Sequence, residues 1–134
     1  MSTTLVDSNV VLDYLTDDDE WSDWSGSMLA QAAEHGELAI NQVVFAEVSV
    51  RFDRLESLDR ALPSDYFTRA PLPWEAAFLA AKAFKDYRRR GGVKRSPLPD
   101  FFIGAHAAVA GMTLLTRDPR RYRNYFPKLR LICP

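Results

Sequence analysis

Short apolar runs that alternate with longer helical patterns are the feature that most constrains the fold of this chain. Four of these runs read as buried strands, because each is short and is bounded by polar or glycine residues: "TLVD" (4–7), "LAIN" (38–41), "MTLLT" (112–116) and "LRLIC" (129–133). Strands separated by helices favour parallel pairing through right-handed crossovers. The sequence therefore predicts one α/β domain over residues 1–134, with three layers and a central parallel sheet.

The segments between these runs carry apolar residues at helical spacing. Residues 21–36 form one such segment, preceded by acidic residues that favour the positive end of a helix and closed by Gly36 as a C-cap. Further helices are predicted in "VVFAEVSVRF" (43–52), "PWEAAFLAAKAFKDYRRRGG" (73–92) and "PDFFIGAHAAVAGM" (99–112). Proline at a start and glycine at an end are typical of helix boundaries.

Composition limits the class of protein. With 47% hydrophobic and 26% charged residues, the chain resembles neither a disordered nor a membrane protein, and we expect no membrane association. The N-terminus lacks the basic and apolar regions of a secretory signal. The single cysteine, Cys133, cannot form an internal disulfide, so the sequence predicts a cytoplasmic protein.

Charge is distributed unevenly along the chain. Residues 1–66 hold 14 acidic and 3 basic residues, a net charge of -11, whereas residues 67–134 hold 4 acidic and 14 basic residues, a net charge of +10. This split is compatible with an acidic site beside a basic surface that binds a polyanion. Mutual attraction of the two halves explains it equally well.

Four carboxylates are predicted near one edge of the sheet. Asp7 ends the first strand, Asp118 follows the "MTLLT" strand, Asp100 opens a helix and Glu47 interrupts an apolar helix face. Ligands bind outside the carboxyl ends of parallel strands, which gives these positions functional interest. Taken singly, each aspartate has a structural explanation as a helix cap, a dipole partner or a turn residue. Glu47 fits this explanation least, because burying an unpaired carboxylate is costly.

The four acids indicate a metal site when they are considered together. Crowded carboxylates repel one another, and a divalent cation relieves this repulsion. Oxygen ligands without clustered His or Cys favour Mg²⁺ or Mn²⁺ over Zn²⁺. Such an ion can activate water for attack on a phosphodiester, so the residues outline a nuclease site.

The same residues resemble a known family. Asp7 in "LVDSNVVLDYL", Glu47 in "VVFAEVS", Asp100 in "LPDFFIGAHA" and Asp118 in "LLTRD" are similar to the acidic quartet of PIN-domain ribonucleases, most closely the VapC toxins. The resemblance implies a PIN-like α/β/α fold and Mg²⁺- or Mn²⁺-dependent cleavage of RNA. It also implies homodimerisation and neutralisation by a small antitoxin protein.

Site roles follow from the resemblance residue by residue. Asp7 and Asp100 would be the principal metal ligands, with Asp118 and Glu47 completing the catalytic pocket directly or through water. Supporting positions near the site are Thr116, Ser8 and Asn9, although helix capping explains the last two equally well. Asp13 does not match the quartet and lies about 600° around the helix from Asp7, so it is predicted to be a surface residue.

Cations near the acidic residues form a predicted RNA-binding set, which consists of Arg117, Arg120, Arg121, Arg89 and Lys94, with tyrosines 122 and 125 as stacking candidates. Cations at a helix C-terminus are also favourable without a ligand, and the tyrosines are equally suited to the core. His106 is predicted to be a packed or hydrogen-bonded residue rather than a base.

Three other function classes remain open, and one of them is a structural subunit that would associate through the same apolar helices. A DNA nuclease or phosphatase would use the same acidic pocket, although no second aspartate stands two residues after Asp7, as a dehalogenase-type phosphatase requires. A catalytically silent RNA- or protein-binding module would keep the fold alone. Retention of four acids argues against the silent module, because uncompensated carboxylates repel RNA phosphates.

Overall fold

Five short strands form one parallel sheet in the computed structural model, which describes residues 2–93 and 98–134. The strands are β1 (Thr4–Val6), β2 (Leu38–Ile40), β3 (Phe67–Arg69), β4 (Thr113–Leu115) and β5 (Leu131–Ile132), in the order β3-β2-β1-β4-β5. All four neighbouring pairs are parallel. The predicted three-layer α/β/α fold with a central parallel sheet is confirmed.

Helices connect the strands. Within the described residues they are α1 (Ser8–Thr16), α2 (Ser22–His35), α3 (Gln42–Ser49), α4 (Leu55–Ala61), α5 (Trp74–Arg89), α6 (Leu98–Ala110) and α7 (Arg120–Tyr125). The predicted helices correspond to α2, α3, α5 and α6, with boundaries that differ by a few residues. Nowhere in the described ranges is a helix both long and apolar enough to cross a membrane.

The core lies around the central strands. Leu5, Val6, Ile40, Leu114 and Leu115 are fully buried, since helices cover both faces of an all-parallel sheet. Each such side chain contributes roughly 1.5–3 kcal/mol of transfer free energy on burial. Three-residue strands therefore suffice to anchor the middle of the sheet.

The order of the strands creates a switch point between β1 and β4. The chain leaves β1 toward β2 and β3 on one side, and it returns to β4 on the other side. Val6 is paired with Leu115, so the two strands end side by side. Ligands bind in this kind of crevice because neighbouring loops diverge there. The residues that follow Val6 and Leu115 are Asp7 and Thr116.

Strand β3 and helix α4 are among the elements that the sequence pattern does not mark. Strand β3 lies at the edge of the sheet, and two of its three residues are exposed, so no apolar run marks it. Helix α4 has seven residues, of which Leu58 alone is buried. The polar ends of two predicted strands, Asp7 and Asn41, instead cap α1 and α3.

Candidate acidic active site

Asp7 is a buried carboxylate at the switch point of the sheet. Its side chain caps α1 by accepting a hydrogen bond on Oδ1 from the backbone N–H of Ser8, over 2.8 Å. Oδ2 accepts hydrogen bonds from the hydroxyls of Tyr122, at 2.8 Å, and Thr116, at 2.9 Å. The amide of Asn9 lies farther away, 3.4 Å from Oδ2. Within the described residues, every donor to Asp7 is neutral.

The environment of Asp7 favours its protonated form. Burial, followed by repulsion from Asp100, raises the pKa of Asp7 from 3.8 to about 6. The hydrogen bonds from Tyr122, Thr116 and Ser8 act in the opposite direction, because they stabilise the ionised carboxylate. An additional positive charge near Asp7 would therefore relieve an unfavourable arrangement.

Asp100 lies in the first turn of α6 and is paired with an arginine. Nη1 of Arg121 donates to Oδ2 of Asp100 over 2.6 Å. Burial raises the pKa of Asp100, Arg121 lowers it through its hydrogen bond and its charge, and Asp118 raises it further. The charge of Asp100 is thus compensated by Arg121, unlike that of Asp7.

Glu47 and Asp118 complete the acidic group from two other elements. Glu47 lies on α3, and its Oε1 accepts a hydrogen bond of 2.7 Å from the hydroxyl of Ser8. Burial raises the pKa of Glu47, the hydrogen bond from Ser8 lowers it, and Asp100 raises it. Asp118 is exposed in the loop after β4 and repels the charge of Asp100. Asp100 therefore repels the charges of the three other carboxylates, which come from separate segments.

The donor set has the chemistry that Mg²⁺ or Mn²⁺ requires. Asp7, Asp100 and Asp118 offer carboxylate oxygens, and Asp7 has an uncompensated buried charge. As the side chains stand, no three His, Cys, Asp or Glu groups in residues 2–93 and 98–134 form a site able to hold a metal ion. The chemistry and charge of these residues fit a hard divalent cation. In the present arrangement, however, the carboxylate of Asp100 is paired with Arg121.

The predicted supporting residues contact the acidic group. Thr116 is fully buried and binds Asp7 through its hydroxyl, which also accepts a 3.1 Å hydrogen bond from the N–H of Asp118. Ser8 connects Asp7, through its N–H, with Glu47, through its hydroxyl. The amide of Asn9 lies 3.4 Å from Thr116 Oγ1. These residues fix the orientation of the acids, and their functional roles stay predictions.

The contact of Tyr122 with Asp7 was not predicted from sequence. Tyr122 is 2% exposed. Burial, followed by the charge of Asp7, raises the pKa of its phenol well above 10. Asp118 lies in the loop before α7, so no helical spacing relates it to Tyr122. A phenol at this position does not by itself indicate an acidic partner, so the sequence held no signal for this contact.

The prediction for Asp13 was wrong. Its side chain is buried, not at the surface, and accepts two hydrogen bonds from Arg117, at 2.7 and 3.1 Å. The hydroxyl of Ser25 donates a third, at 2.9 Å. Helix α2 covers the side of α1 that carries Asp13, because Ser25 of α2 contacts its carboxylate.

The predicted RNA-binding cations do not share one environment. Arg117 forms an ion pair with Asp13 and lies over the ring of Trp21, so its charge is compensated within the fold. Arg121 is bound to Asp100, and exposed Arg89 is 3.9 Å from Asp86. Arg120 is exposed beside Asp118. Lys94 lies outside the described residues.

His106 is a packed residue, as predicted. It is 2% exposed, and its Nδ1 lies 3.1 Å from the side-chain nitrogen of Asn41. Burial lowers the pKa of His106, which favours the neutral imidazole.

Comparisons with known proteins agree with this architecture. A family model described as "PIN domain" matches residues 4–127. Similar solved structures include VapBC2 from Rickettsia felis bound to a promoter DNA fragment, with a TM-score of 0.75, 16% identity and 98% of each chain covered. VapBC-1 from nontypeable Haemophilus influenzae gives 0.72 and 15%, covering 98% of this chain and 97% of the other.

A toxin-antitoxin complex from Klebsiella pneumoniae is also similar, with a TM-score of 0.62, 22% identity and 89% of each chain covered. At these identities the solved structures establish the likeness of fold. A search of curated protein sequences finds no match.

Proposed function

This chain belongs to the PIN-domain family, and from that premise we propose that it is a Mg²⁺- or Mn²⁺-dependent endoribonuclease, the toxin of a toxin-antitoxin pair. The observation that carries the proposal is the buried carboxylate of Asp7. It lies at the switch point of a parallel sheet, beside Asp100, with neutral donors as its hydrogen-bond partners in the described chain. A carboxylate of this kind is suited to bind a cation.

The proposed reaction is hydrolysis of an RNA phosphodiester. Asp7, Asp100 and Asp118 hold the divalent ion, and Glu47 completes the pocket directly or through water. When bound, the ion supplies positive charge that polarises the phosphate and acidifies water for in-line attack. The bond from the water oxygen to phosphorus forms as the bond to one ester oxygen breaks; the water gives up one proton, and the leaving oxygen takes one up. Arg121, beside Asp100, stabilises the charge that develops on the phosphate.

The proposed partners are an RNA substrate, a small antitoxin and a second copy of the chain, in the cytoplasm. Similar structures described as VapBC complexes and as a toxin-antitoxin complex support the antitoxin. Trp74 and Phe78, one turn apart on α5, are 90% and 66% exposed and favour association through that helix.

Substitution of the acidic residues tests the proposal. We expect Asp7→Asn and Asp100→Asn each to lower Mn²⁺-dependent cleavage of a mixed-sequence single-stranded RNA by about 100-fold or more, since each removes a ligand charge. Asp53→Asn, at an exposed position with no side-chain partner in the described chain, is the matched control and should cleave normally. Full Mn²⁺-dependent cleavage by the Asp7→Asn protein would contradict the assignment.

One observation favours a second candidate, the catalytically silent binding module. Arg121 already neutralises Asp100, an arrangement that needs no metal. Titration of the protein with Mn²⁺ separates the two functions. Absence of both Mn²⁺ binding and Mn²⁺-dependent thermal stabilisation would favour the silent module, whereas the nuclease requires both.

A further inference from the structure

Beside Asp118, residues of the C-terminal part of α5 and of the helix α7 line an open cavity of about 330 Å³. We propose that this cavity, here called the α5–α7 pocket, binds one nucleotide of single-stranded RNA next to the cleaved bond. Its lining residues are Tyr87, Asp118, Arg120, Arg121, Asn124 and Tyr125. The inference rests on the proposed function, because it names where that substrate lies. The volume is in the range of small-ligand pockets.

Two polar side chains of the pocket have no interaction partner in the described chain. Arg120 and Asn124 are exposed, and neither side chain has a hydrogen bond or an ion pair with any described residue. An unpaired guanidinium is suited to a phosphate group, and a carboxamide can both donate to and accept from a base edge. The pocket therefore offers separate contacts for the two ends of a nucleotide.

Flat groups also line the pocket. The rings of Tyr87 and Tyr125 lie 6.1 Å apart, and both pack against Phe101, at 5.8 and 5.1 Å between ring centroids. Guanidinium groups lie over these tyrosines, that of Arg121 over Tyr87 and that of Arg90 over Tyr125. Unpaired bases stack on aromatic rings and on guanidinium planes alike. Packing against Phe101 fixes this stacking surface before the ligand arrives.

The pocket is continuous with the acidic site. Asp118 is a member of both, and Arg121 reaches from the pocket to Asp100 over 2.6 Å. A nucleotide bound here would thus place its neighbouring phosphate at the carboxylates. An acidic peptide is the less suitable ligand, because its carboxylates make no use of the stacking surface.

The test measures RNA binding without cleavage. Fluorescence anisotropy in EDTA gives the Kd of labelled A6, C6 and U6 oligonucleotides for the intact chain and its variants. We expect Arg120→Ala to weaken binding of all three oligonucleotides by about 5- to 10-fold and to reduce the slope of log K against log salt by about 0.7, one phosphate contact. Asn124→Ala should weaken at least one oligonucleotide about fivefold without changing that slope, because its contact is neutral.

Arg130→Ala is the matched control. Arg130 is exposed and directly precedes β5, so it lies at the amino ends of the parallel strands, whereas the acidic site lies at their carboxyl ends. Its loss should change each Kd less than twofold. The proposal is overturned if Arg120→Ala and Asn124→Ala bind like Arg130→Ala, or if the unsubstituted chain binds none of the oligonucleotides. Displacement of RNA by hexaglutamate as effectively as by unlabelled RNA would assign the pocket to an acidic peptide instead.

Failure of the pocket and failure of the nuclease give different results. Weakened binding in the Arg120 and Asn124 variants of a protein that cleaves no RNA would preserve the pocket and reject the nuclease. Mn²⁺-dependent cleavage with unaltered RNA binding in both variants would preserve the nuclease and reject the pocket. Mn²⁺ affinity supplies an independent readout, since Asn124→Ala touches no proposed ligand and should leave it unchanged.

Discussion

At the scale of single residues, the orientation of the Asp7 carboxylate depends on two hydroxyls. Tyr122 and Thr116 both donate to Oδ2, whereas Oδ1 accepts a hydrogen bond from the backbone of Ser8. Both oxygens are therefore held before any ion is bound. Hydrogen bonds to the ionised form also limit how far burial raises the pKa of Asp7.

Removing one hydroxyl should shift the proton equilibrium of Asp7. In Tyr122→Phe, the loss of one hydrogen bond to the carboxylate raises the pKa of Asp7 above its value of about 6. Protons then compete more strongly with metal at about pH 6.5. We expect calorimetric titration to show a larger loss of Mn²⁺ affinity at about pH 6.5 than at about pH 8.5.

Tyr14→Phe, at an exposed tyrosine of α1, is the control for the Tyr122 variant and should behave like the unsubstituted chain at both pH values. An equal loss of affinity at both pH values in Tyr122→Phe would show that the hydroxyl acts on geometry alone.

At the scale of secondary-structure elements, Asp13 joins three segments. It lies on α1, accepts a hydrogen bond from Ser25 of α2 and forms two with Arg117 of the loop after β4. The same loop carries Thr116 and Asp118. The ion pair is thus in a position to hold the loop of the acidic site against α1 and α2.

The two partners of this ion pair should contribute unequally to stability. The side chain of Asp13 is 4% exposed and that of Arg117 is 33% exposed. Arg117→Ala leaves a buried carboxylate without its cation and should lower the free energy of unfolding by about 3 kcal/mol. Asp13→Ala should cost less, about 1–2 kcal/mol, because water can solvate the remaining arginine.

Urea denaturation of the two variants and of the double variant measures this asymmetry. The double variant should be more stable than Arg117→Ala by about 1 kcal/mol, since it no longer buries an unpaired charge. Arg54→Ala, in an exposed pair with Glu56, is the control and should change stability by less than about 1 kcal/mol. A cost of Asp13→Ala larger than that of Arg117→Ala would contradict the argument.

At the scale of the whole molecule, the uneven charge of the chain has two structural expressions. Asp13–Arg117 and Asp59–Arg69 are ion pairs between the acidic and basic halves. Arg120, by contrast, is an exposed cation beside the acidic site. Ion pairs between the two halves are therefore present, whereas the binding of a polyanion by the basic half stays a prediction.

Stability should depend on pH through the buried acids. The pKa of Asp7 is raised from 3.8 to about 6, so the folded protein binds this proton more tightly than the unfolded chain. Without metal, the free energy of unfolding should fall as pH rises between these values, by about 3 kcal/mol from Asp7, and then level off. The pKa values of Glu47 and Asp100 are raised too, which acts in the same direction.

Mn²⁺ should reverse this loss at about pH 7.5, adding about 2.7 kcal/mol at a concentration of 100 Kd, and should have little effect at about pH 5. Thermal and urea unfolding with and without Mn²⁺ measure both effects. Asp7→Asn should flatten the metal-free pH profile, because the amide does not titrate. A profile of the unsubstituted chain that rises between about pH 4 and 6 would contradict the assignment.

The fold was largely predictable because its signals are local. Apolar runs bounded by polar residues mark β1, β2, β4 and β5, and helical periodicity marks α2, α3, α5 and α6. Edge strand β3 and short helix α4 bury too few side chains to leave such a pattern. Strand position also predicted Asp7 and Asp118 at one edge of the sheet, since the carboxyl ends of parallel strands lie together.

The sequence by itself determined the parallel sheet and the candidate acids, because strand ends and helix starts are marked by residues that are neighbours in the chain. The tertiary structure alone decided which groups those acids meet. Tyr122 reaches Asp7 across 115 positions of the chain, and Arg117 reaches the buried Asp13 across 104. Hydrogen bonds and ion pairs of this kind depend on side chains brought together by packing, and no local spacing in the sequence specifies them.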